Sequence, residues 1–231
     1  MKVTRTRETY LRKNISMNVL CSWSGGKDSC YALMKAVEAG HTPCALLNMM
    51  NEEGATSRSH RIPKAILEAQ AAAAQIPIHL EPASWKDYQP KFIAAISSLK
   101  VQYALDAVVF GDIDLQEHRD WEEAQCSKVG LEAMLPLWKL DREALVLEML
   151  RESVRAMIIS CNETMGESFL GRFLDNDTIA DLKDIGVDVC GENGEFHTVV
   201  IDCPLFERPV SLGPGKKIKE GGFWFLEPEL L

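Results

Sequence analysis

The sequence predicts an α/β protein with a doubly wound parallel sheet and a smaller C-terminal α+β unit. Two observations lead to this fold class. Short apolar runs alternate with segments of helical periodicity through the first half of the 231-residue chain, and a glycine-rich turn follows the first apolar run. After about residue 130 the alternation loosens and a new set of strands begins. We therefore expect helices on both faces of a first sheet, followed by a separate unit.

The elements of the first half follow in order. Strands are expected where apolar residues run together, at 17–21, 42–49, 78–81 and 107–110. Helices are expected where apolar residues recur every three or four positions, at 29–39, 63–75 and 88–102. The acidic stretch 117–123 is expected to be helical, with Arg119 paired inside it. Because this alternation makes the strands parallel, ligands are expected beyond their carboxyl ends.

The second half begins with a non-helical link and then forms its own elements. The link lies at 135–138, helices are expected at 141–152 and 176–185, and strands at 156–161, 196–202 and 223–225. We expect three parts in the chain. They are a basic N-terminal extension at 1–16, a first domain at 17–134 and a second domain at 135–231.

The turn after the first strand, residues 24–29, has the sequence Ser-Gly-Gly-Lys-Asp-Ser. Gly25 and Gly26 lack a Cβ, so the backbone can approach an anion, and free amides at the start of the next helix point toward it. Lys27 adds a positive charge, whereas Asp28 would repel a phosphate unless a divalent cation lay between them. The turn therefore predicts an ATP phosphate site with Asp28 as a Mg²⁺ ligand. The alternative is a plain Gly-Gly turn before a capped helix.

Composition narrows the function classes. The five histidines are scattered and the seven cysteines contain no C-x-x-C pair, so no zinc-ligand spacing is present. The odd number of cysteines without such pairs favours a reducing compartment, so we expect a cytoplasmic protein. No apolar run is long enough to span a membrane. Residues 1–16 carry a net charge of +4 in a chain of −9, so the remainder carries −13, which argues against broad nucleic-acid binding. The basic leader also faintly resembles an organellar transit peptide, although a disordered arm or an added first turn is the favoured interpretation, and Met17 is a hypothetical physiological start.

A second constellation lies at 190–198, with the sequence Cys-Gly-Glu-Asn-Gly-Glu-Phe-His-Thr. The Asn-Gly pair at 193–194 is typical of a type I′ hairpin, which would make Glu192 and Glu195 solvated flanking residues. Two carboxylates around a glycine turn also suit Mg²⁺ or a cationic substrate group, and His197 would supply a base near neutral pH. The residues alone leave both interpretations open.

The turn at 24–29 resembles the PP-loop of ATP pyrophosphatases, which cleave ATP to AMP and pyrophosphate while they adenylate a substrate. The whole set of motifs resembles the diphthine–ammonia ligase family, over residues 17–206. The set adds, in this order, Gly111-Asp112-Ile113, Pro136-Leu137-Trp138, Leu170-Gly171-Arg172 and Gly-Glu-x-Gly-Glu-Phe-x-Thr at 191–198. The C-terminal signature is far more specific than the loop.

The resemblance implies an activity and an arrangement of domains. It implies an adenine nucleotide α-hydrolase-like, Rossmann-like ATP-binding domain at 17–134 and a family-specific substrate domain at 135–231. The reaction would use ATP and Mg²⁺ to adenylate a carboxylate. Ammonia would then convert it to the amide, with release of AMP and pyrophosphate.

The resemblance also implies roles for individual residues. Nucleotide binding would fall to Ser22, Ser24, Gly25, Gly26, Lys27, Asp28, Ser29, Gly111 and Asp112, with Asp28 as the metal ligand. Substrate binding would fall to His60, Glu192, Glu195, His197 and Thr198. The catalytic candidates are Lys27, Asp28, Glu192 and Glu195. A helix cap is the alternative for Asp112, and a solvated loop is the alternative for Arg58, His60 and Arg61.

One position departs from the family pattern, since His197 stands where a glutamate is usual. Diphthine carries a trimethylammonium group that an anion would suit and a protonated imidazole would oppose. The expected partners are therefore ATP, ammonia and either a modified translation elongation factor or a small-molecule acid such as a cobalamin precursor. A homodimer is also considered. A tRNA-modifying PP-loop enzyme and a nucleotide sensor without turnover are the other classes left open.

Overall fold

The structure, a computed structural model, describes residues 16–231, so residues 1–15 of the basic extension, and with them its transit-peptide interpretation, lie outside the described residues. Within this range five strands form a parallel sheet: β1 Asn18–Ser22, β2 Thr42–Met50, β3 Ile78–Pro82, β4 Ala107–Val109 and β5 Glu132–Met134. Their order across the sheet is β3-β2-β1-β4-β5. The connections contain α1 Lys27–Glu38, α2 Lys64–Ala74, α3 Tyr88–Tyr103 and α4 Gln116–Lys128. The predicted doubly wound α/β class is confirmed.

The rest of the chain adds a second, antiparallel sheet. Helix α5 Arg142–Arg151 precedes it, and its elements are β6 Arg155–Asn162, α6 Asn176–Asp184, β7 Phe196–Asp202, β8 Lys216–Glu220 and β9 Phe223–Glu227. A short 3₁₀ turn, Glu167–Phe169, follows β6, and the strand order is β7-β6-β9-β8. Asp141 and Asp175 cap α5 and α6 by accepting hydrogen bonds from the backbone amides three residues later. The smaller α+β unit is therefore present.

The parallel sheet is buried on both faces. Val19 and Cys21 of β1 face one side, where α1, α2 and the antiparallel sheet pack in one continuous apolar cluster. Leu20, between them, faces the other side, which α3 and α4 cover. All three side chains are fully buried. This explains why β1 has an uninterrupted apolar sequence and not an alternating one.

Two strands differ from the sequence expectation. No strand was expected at β5, which is three residues long, contains an exposed Glu132 and depends on β4 for its hydrogen bonds. None was expected at β8 either, whose charged sequence Lys-Lys-Ile-Lys-Glu forms an edge that pairs with β9. Charged residues on an edge strand are common because they prevent further pairing. The division after residue 134 stays a prediction. No helix within 16–231 has the length and apolar character needed to cross a membrane.

Arg142, at the start of α5, fastens two loops to each other. Its Nη2 and Nε lie 2.6 and 2.9 Å from the carboxylate oxygens of Asp114, and its Nη1 lies 2.5 Å from Asp188 Oδ2 and 3.2 Å from Asn193 Oδ1. A planar guanidinium suits such a forked arrangement. The hydrogen bonds from Arg142 hold the pKa of Asp114 below its usual range. Arg142 therefore joins the segment after β4 to the turn before β7.

We predict that Arg142→Ala lowers the free energy of unfolding by about 1–3 kcal/mol at pH 7, because two partly buried carboxylates lose their partner. The pKa of Asp114 is lowered in the folded state, so its share of this stability is present above the ordinary value of 3.8 and is lost on acidification. The loss should therefore shrink in acid. Urea unfolding measures both effects, with Arg151→Ala, at the exposed end of the same helix, as the control. Equal losses in the two variants would contradict the proposed fastening.

Candidate functional site at the carboxyl edge of the parallel sheet

The loop between β1 and α1 requires glycine because other side chains pack against its back. Gly25 has a φ of +84°, and a Cβ there would lie 2.8 Å from Ile62 Cδ1. A Cβ on Gly26 would lie 2.6 Å from His60 Cε1, and one on Gly111 would lie 2.7 Å from the backbone of Asp28. Real Cβ atoms do not make such short contacts. The loop and the chain after β4 therefore touch backbone to backbone.

Lys27 is a buried ammonium at the start of α1, with only 3% of its surface exposed. Its Nζ lies 2.8 Å from Asp28 Oδ2 and donates to the carbonyl of Cys190, and its backbone amide donates to Thr198 Oγ1 at 3.1 Å. Burial alone would lower the pKa of Lys27, but the Asp28 carboxylate, together with the nearby acidic groups of Cys190 and Glu192, outweighs burial and raises it. Lys27 is therefore positively charged at neutral pH.

Asp28 presents one oxygen to Lys27 and keeps the other free. Its Oδ1 is buried and, among residues 16–231, has no hydrogen-bond partner. Ser24 Oγ lies 3.0 Å from Ser29 Oγ and accepts a hydrogen bond from Gly26 N at 3.2 Å. The loop thus offers hydroxyls, a cation and an unpaired carboxylate oxygen within six residues.

Gln70 of α2 ties the loop to the antiparallel sheet. Its Nε2 donates to the carbonyl of Gly25 at 2.9 Å and to that of Val200 at 2.7 Å, and Val200 N donates to Gly25 O at 2.9 Å. Trp23 Nε1 in turn donates to Gln70 Oε1 at 3.0 Å. All polar atoms of the Gln70 amide are therefore used in holding β1, the loop and β7 together.

The turn at 188–195 brings a carboxyl to the same place. Asp188 accepts hydrogen bonds from the backbone amides of Cys190 and Glu192, and Glu192 Oε1 accepts one from Ile113 N at 3.1 Å. Burial raises the pKa of Glu192 to about 7, although the Ile113 amide opposes the rise. Glu192 therefore titrates close to neutral pH.

The hairpin interpretation of the Asn-Gly pair at 193–194 is wrong. Residues 187–195 contain no strand, and of the two residues Gly194 alone has a positive φ, whereas a type I′ turn requires it at both. Glu195 closes this turn, since its two oxygens accept hydrogen bonds from the backbone and side-chain nitrogens of Asn193. Strand β7 begins directly afterwards and pairs with β6.

His60 and His197 form a stacked pair, with ring centroids 4.4 Å apart. His60 Nδ1 lies 3.2 Å from the carbonyl of Thr198, which can only accept, so Nδ1 carries the proton. Burial lowers the pKa of His60 to about 4. Burial and then His60 lower the pKa of His197 to about 3. Both rings are therefore uncharged at neutral pH, and the protonated imidazole considered from the sequence is absent there.

These groups line one open crevice of about 690 Å³ at the carboxyl edge of the sheet. It lies where the strand order reverses between β1 and β4, which is where open α/β sheets bind ligands. The predicted site residues that line it are Ser22, Ser24, Lys27, Asp28, Ser29, His60, Gly111, Asp112, Glu192, His197 and Thr198. Gly25 and Gly26 form the loop backbone itself, and Glu195 is not among the lining residues.

The structure decides between several alternatives that the sequence left open. The N-cap of α4 is Leu115, so the helix-cap interpretation of Asp112 is wrong, and Asp112 Oδ1 instead accepts from His118 Nδ1 at 2.7 Å. Arg58 and His60 line the crevice and are not in open solvent. Arg61 points elsewhere, toward Glu220 at 2.8 Å. Arg119 pairs with Glu123 inside α4, as predicted.

The sequence reasoning missed some of the lining groups. Asn48 is buried in β2, where its Nδ2 donates to the carbonyl of Trp23 at 2.6 Å. A single amide within the apolar run 42–50 was a signal that could have identified it. Tyr88, Phe110 and His118 also line the crevice, but nothing in their local sequence distinguishes them from ordinary helix or strand residues.

The side chains of the crevice decide whether the expected Mg²⁺ could bind there. Among residues 16–231 no group of three or more His, Cys, Asp or Glu side chains is arranged to hold a metal ion. The buried, unpartnered Oδ1 of Asp28 in the crevice nevertheless fits a cation that brings most of its ligands with it. Mg²⁺ behaves in this way, since it keeps water and phosphate ligands beside one or two carboxylates.

Comparison with known proteins places the chain in a family. The family model described as the diphthamide synthase N-terminal domain matches residues 17–133, and that of the diphthamide synthase C-terminal domain matches 141–227. The diphthine–ammonia ligase of Homo sapiens is 27% identical over 84% of this chain and 82% of its own length. That of Bos taurus is 29% identical with the same coverage. A predicted tRNA methyltransferase subunit from Methanocaldococcus jannaschii is 16% identical, with a TM-score of 0.45, over 81% of this chain and 98% of that one.

The curated relatives define the class of protein as a ligase that forms carbon–nitrogen bonds. The chain belongs to the diphthamide synthase family, because the two domain models together match most of its length. The resemblance inferred from the motifs is thereby confirmed.

We predict that Gly25→Ala removes most nucleotide binding and destabilises the fold, because the new Cβ would collide with Ile62 while the backbone keeps its positive φ. Gly40→Ala is the matched control. Gly40 also has a positive φ, +90°, but a Cβ there meets nothing within 4 Å. We expect a loss of about 1 kcal/mol for Gly40→Ala and at least twice that for Gly25→Ala, measured by urea unfolding. Similar losses, with nucleotide binding retained, would show that the packing behind the loop is unimportant.

Proposed function

We propose that the protein is an ATP-dependent amide ligase that joins ammonia to a substrate carboxylate. The carboxylate attacks the α-phosphorus of ATP and expels pyrophosphate, and ammonia then displaces AMP from the acyl-adenylate. The curated relatives support this reaction, since their name pairs diphthine with ammonia in a ligase. One contact carries the proposal. The backbone amide of the charged, buried Lys27 donates a hydrogen bond to Thr198 Oγ1, beside the free Oδ1 of Asp28.

The loop residues are assigned to the phosphates. Lys27 keeps its positive charge although it is buried, so it offsets the charge of the leaving pyrophosphate in a site of low dielectric constant. Ser24 and Ser29 provide hydroxyl groups. The amide of Lys27 already donates to Thr198, so the later amides of the first turn of α1, those of Asp28 and Ser29, are assigned to the phosphates. Asp28 would hold Mg²⁺, which supplies charge neutralisation on the phosphates when it is bound.

The adenosine is assigned to the wall formed by the ends of β1 and β2. Ser22 and Asn48 place polar atoms there, and Leu47 and Met49 supply apolar surface. Asn48 Oδ1 has no hydrogen-bond partner among the described residues, so it is free to accept one from a ligand. A mostly apolar wall with few polar groups is typical of nucleoside sites.

The acceptor is assigned to the opposite wall, at 191–198. Glu192 has a pKa of about 7, which suits a group that takes a proton from the attacking nitrogen as the amide forms. His197 and Thr198 form the surface beside it. Glu195 acts as a positioning residue, because its hydrogen bonds to Asn193 hold the turn that carries Glu192.

We propose diphthine on a translation elongation factor as the acceptor. The sequence raised an objection, since a protonated His197 would repel the trimethylammonium group. The lowered pKa of His197 removes this objection, because an uncharged ring does not repel a cation. The small-molecule acid is the alternative that the experiment below decides.

We propose that the two domains share the nucleotide site. The first domain, 17–134, supplies the loop, and the second, 135–231, supplies the Cys190 carbonyl and the Thr198 hydroxyl that contact Lys27. Without the second domain, the ammonium of Lys27 would keep Asp28 alone as a hydrogen-bond partner. Nucleotide and acceptor binding would then depend on the same interface.

The function is tested by pyrophosphate release with ATP, Mg²⁺ and ammonium. Elongation factor 2 that carries diphthine and a panel of cobalamin-related acids serve as acceptors, and Asp28→Ala serves as the inactive control. We expect AMP formation with the diphthine acceptor, at least 100-fold above Asp28→Ala. Turnover on the small acids alone would overturn the proposed acceptor. ATP binding with no pyrophosphate release on any acceptor would overturn the ligase proposal.

The assignment of Glu192 and Glu195 is tested by a matched pair of variants. We predict that Glu192→Gln lowers kcat by about 100-fold with little change in ATP affinity, because it removes the proton acceptor. Glu195→Gln should lower kcat by less than about 10-fold, since an amide oxygen still accepts one hydrogen bond of the turn. Steady-state AMP formation and nucleotide titration measure these effects. A Glu195→Gln enzyme as slow as Glu192→Gln would show that Glu195 takes part in the chemistry.

A further inference from the structure

A second cavity of about 650 Å³ opens beside the crevice, between α3 and α4. We call it the aromatic chamber, because its walls include Trp85, Tyr88, Phe92, Phe110 and Trp121. Tyr88, Phe110 and Asp112 line both spaces, so the chamber and the crevice are continuous. A ligand held in the crevice can therefore extend one group into the chamber.

The aromatic rings of the chamber pack against each other, with Trp121 tilted and with Tyr88 nearly parallel to Phe92. The ring centroid of Trp121 lies 5.1 Å from that of Phe92 and 5.8 Å from that of Tyr88, with interplanar angles of 47° and 48°. Trp85 stands at the rim with 72% of its surface exposed, and Arg58 lies 4.9 Å from its ring centroid. Because Arg58 occupies a face of Trp85, and Phe92 and Phe110 are buried, the rings left for a guest are those of Tyr88 and Trp121.

The carboxyl groups of Asp112 and Glu122 both lie in the chamber wall, where His118 pairs with Asp112 but, among residues 16–231, no basic group pairs with Glu122. Glu122 is 5% exposed, and its Oε2 has no hydrogen-bond partner among residues 16–231. Burial, and then the neighbouring Asp112, raise the pKa of Glu122 to about 10. Burial also opposes ionisation of Asp112, but hydrogen bonds from His118 and Glu122 outweigh it and lower the pKa of Asp112. The pair therefore carries one negative charge, on Asp112, and a second would form if Glu122 lost its proton.

The lining contains little that could neutralise these carboxyls. Among the described residues that line the chamber there is no lysine and no arginine, and His118 is the one basic group, on a mostly exposed side chain. An anionic guest would meet Asp112, and a neutral apolar guest would leave Glu122 Oε2 unpaired. A metal ion would find aromatic carbon where it needs oxygen ligands. An organic cation would be attracted by the charge of Asp112, and its positive charge would compensate Glu122 Oε2 without a hydrogen bond.

We propose that the aromatic chamber binds a quaternary ammonium group, held by the rings of Tyr88 and Trp121 and by the Asp112–Glu122 pair. Aromatic faces attract such cations, and a quaternary ammonium needs no hydrogen-bond acceptor. The inference rests on the proposed function, since it places the cationic group of the acceptor in the chamber and its carboxylate in the crevice. There, Nε and Nη2 of Arg58 are buried and have no partner among the described residues.

Binding of choline to the full-length protein tests the chamber. The comparison ligand is 3,3-dimethylbutan-1-ol, which has the same shape without the charge, and tryptophan fluorescence or calorimetry gives the affinities. We expect choline to bind at least about 10-fold more tightly than the neutral alcohol. Glu122→Gln and Trp121→Leu should each weaken choline binding by about 10-fold. Glu123→Gln is the matched control, because its side chain lies next in sequence but is largely exposed and pairs with Arg119. It should leave choline binding unchanged.

Equal affinities for choline and the alcohol would refute the proposal that the chamber binds a quaternary ammonium group. Choline binding that Glu122→Gln and Trp121→Leu both leave intact would refute it as well. Circular dichroism identifies variants that do not fold, and Tyr88→Leu then takes their place with the same expected loss.

The experiments distinguish failure of the cation-binding proposal for the chamber from failure of the ligase proposal. Amidation of the diphthine acceptor with unchanged KM in Glu122→Gln and Trp121→Leu, together with no choline binding, would overturn the chamber and leave the ligase standing. Choline binding that depends on Glu122, in a protein that amidates no acceptor, would support the chamber and overturn the ligase.

Discussion

The buried charge of Lys27 is the constraint on which the rest of the site depends. An ammonium group that is 3% exposed would cost several kcal/mol without partners. Asp28 supplies a counter-charge from the same loop, and the carbonyl of Cys190 supplies a second partner from the other half of the chain. The turn that carries Cys190 is held in turn by Asp188 and Arg142. The two halves of the protein are thus required together for one cation to be stable where it lies.

The fold was largely predictable because the strongest signals are local. The runs that became β1, β2 and β4 are buried on both faces, so their apolar character is visible in the sequence. Strand β8 was not predictable from Lys-Lys-Ile-Lys-Glu, since its pairing with β9 decides its conformation. The Asn-Gly pair at 193–194 misled for a related reason. Contacts of Asp188 and Glu195 within the turn, and not the hairpin preference of the pair, set the backbone there.

The features of the site were also predictable only where their chemistry is local in the sequence. The glycine loop could be interpreted from six consecutive residues, because its chemistry is contained in them. The charge state of His197 could not, since it follows from burial and from the ring of His60, 137 positions earlier in the chain. Glu122 was equally hidden. In the sequence it belongs to an acidic, solvent-facing stretch, and only the packing of α4 against α3 and the position of Asp112 turn it into a buried, protonated acid.

The hydrogen bonds from Gln70 and Val200 to the carbonyl of Gly25 have a consequence for motion. Ligand-binding loops commonly belong to the least stable part of a fold and open without the rest. Here the amide of Lys27 and the carbonyl of Gly25 are bonded to β7, a strand of the core. Solvent exchange of the Val200 amide proton, which Gly25 O accepts, therefore requires the loop and β7 to separate. Nucleotide would enter and leave a cradle that keeps its shape.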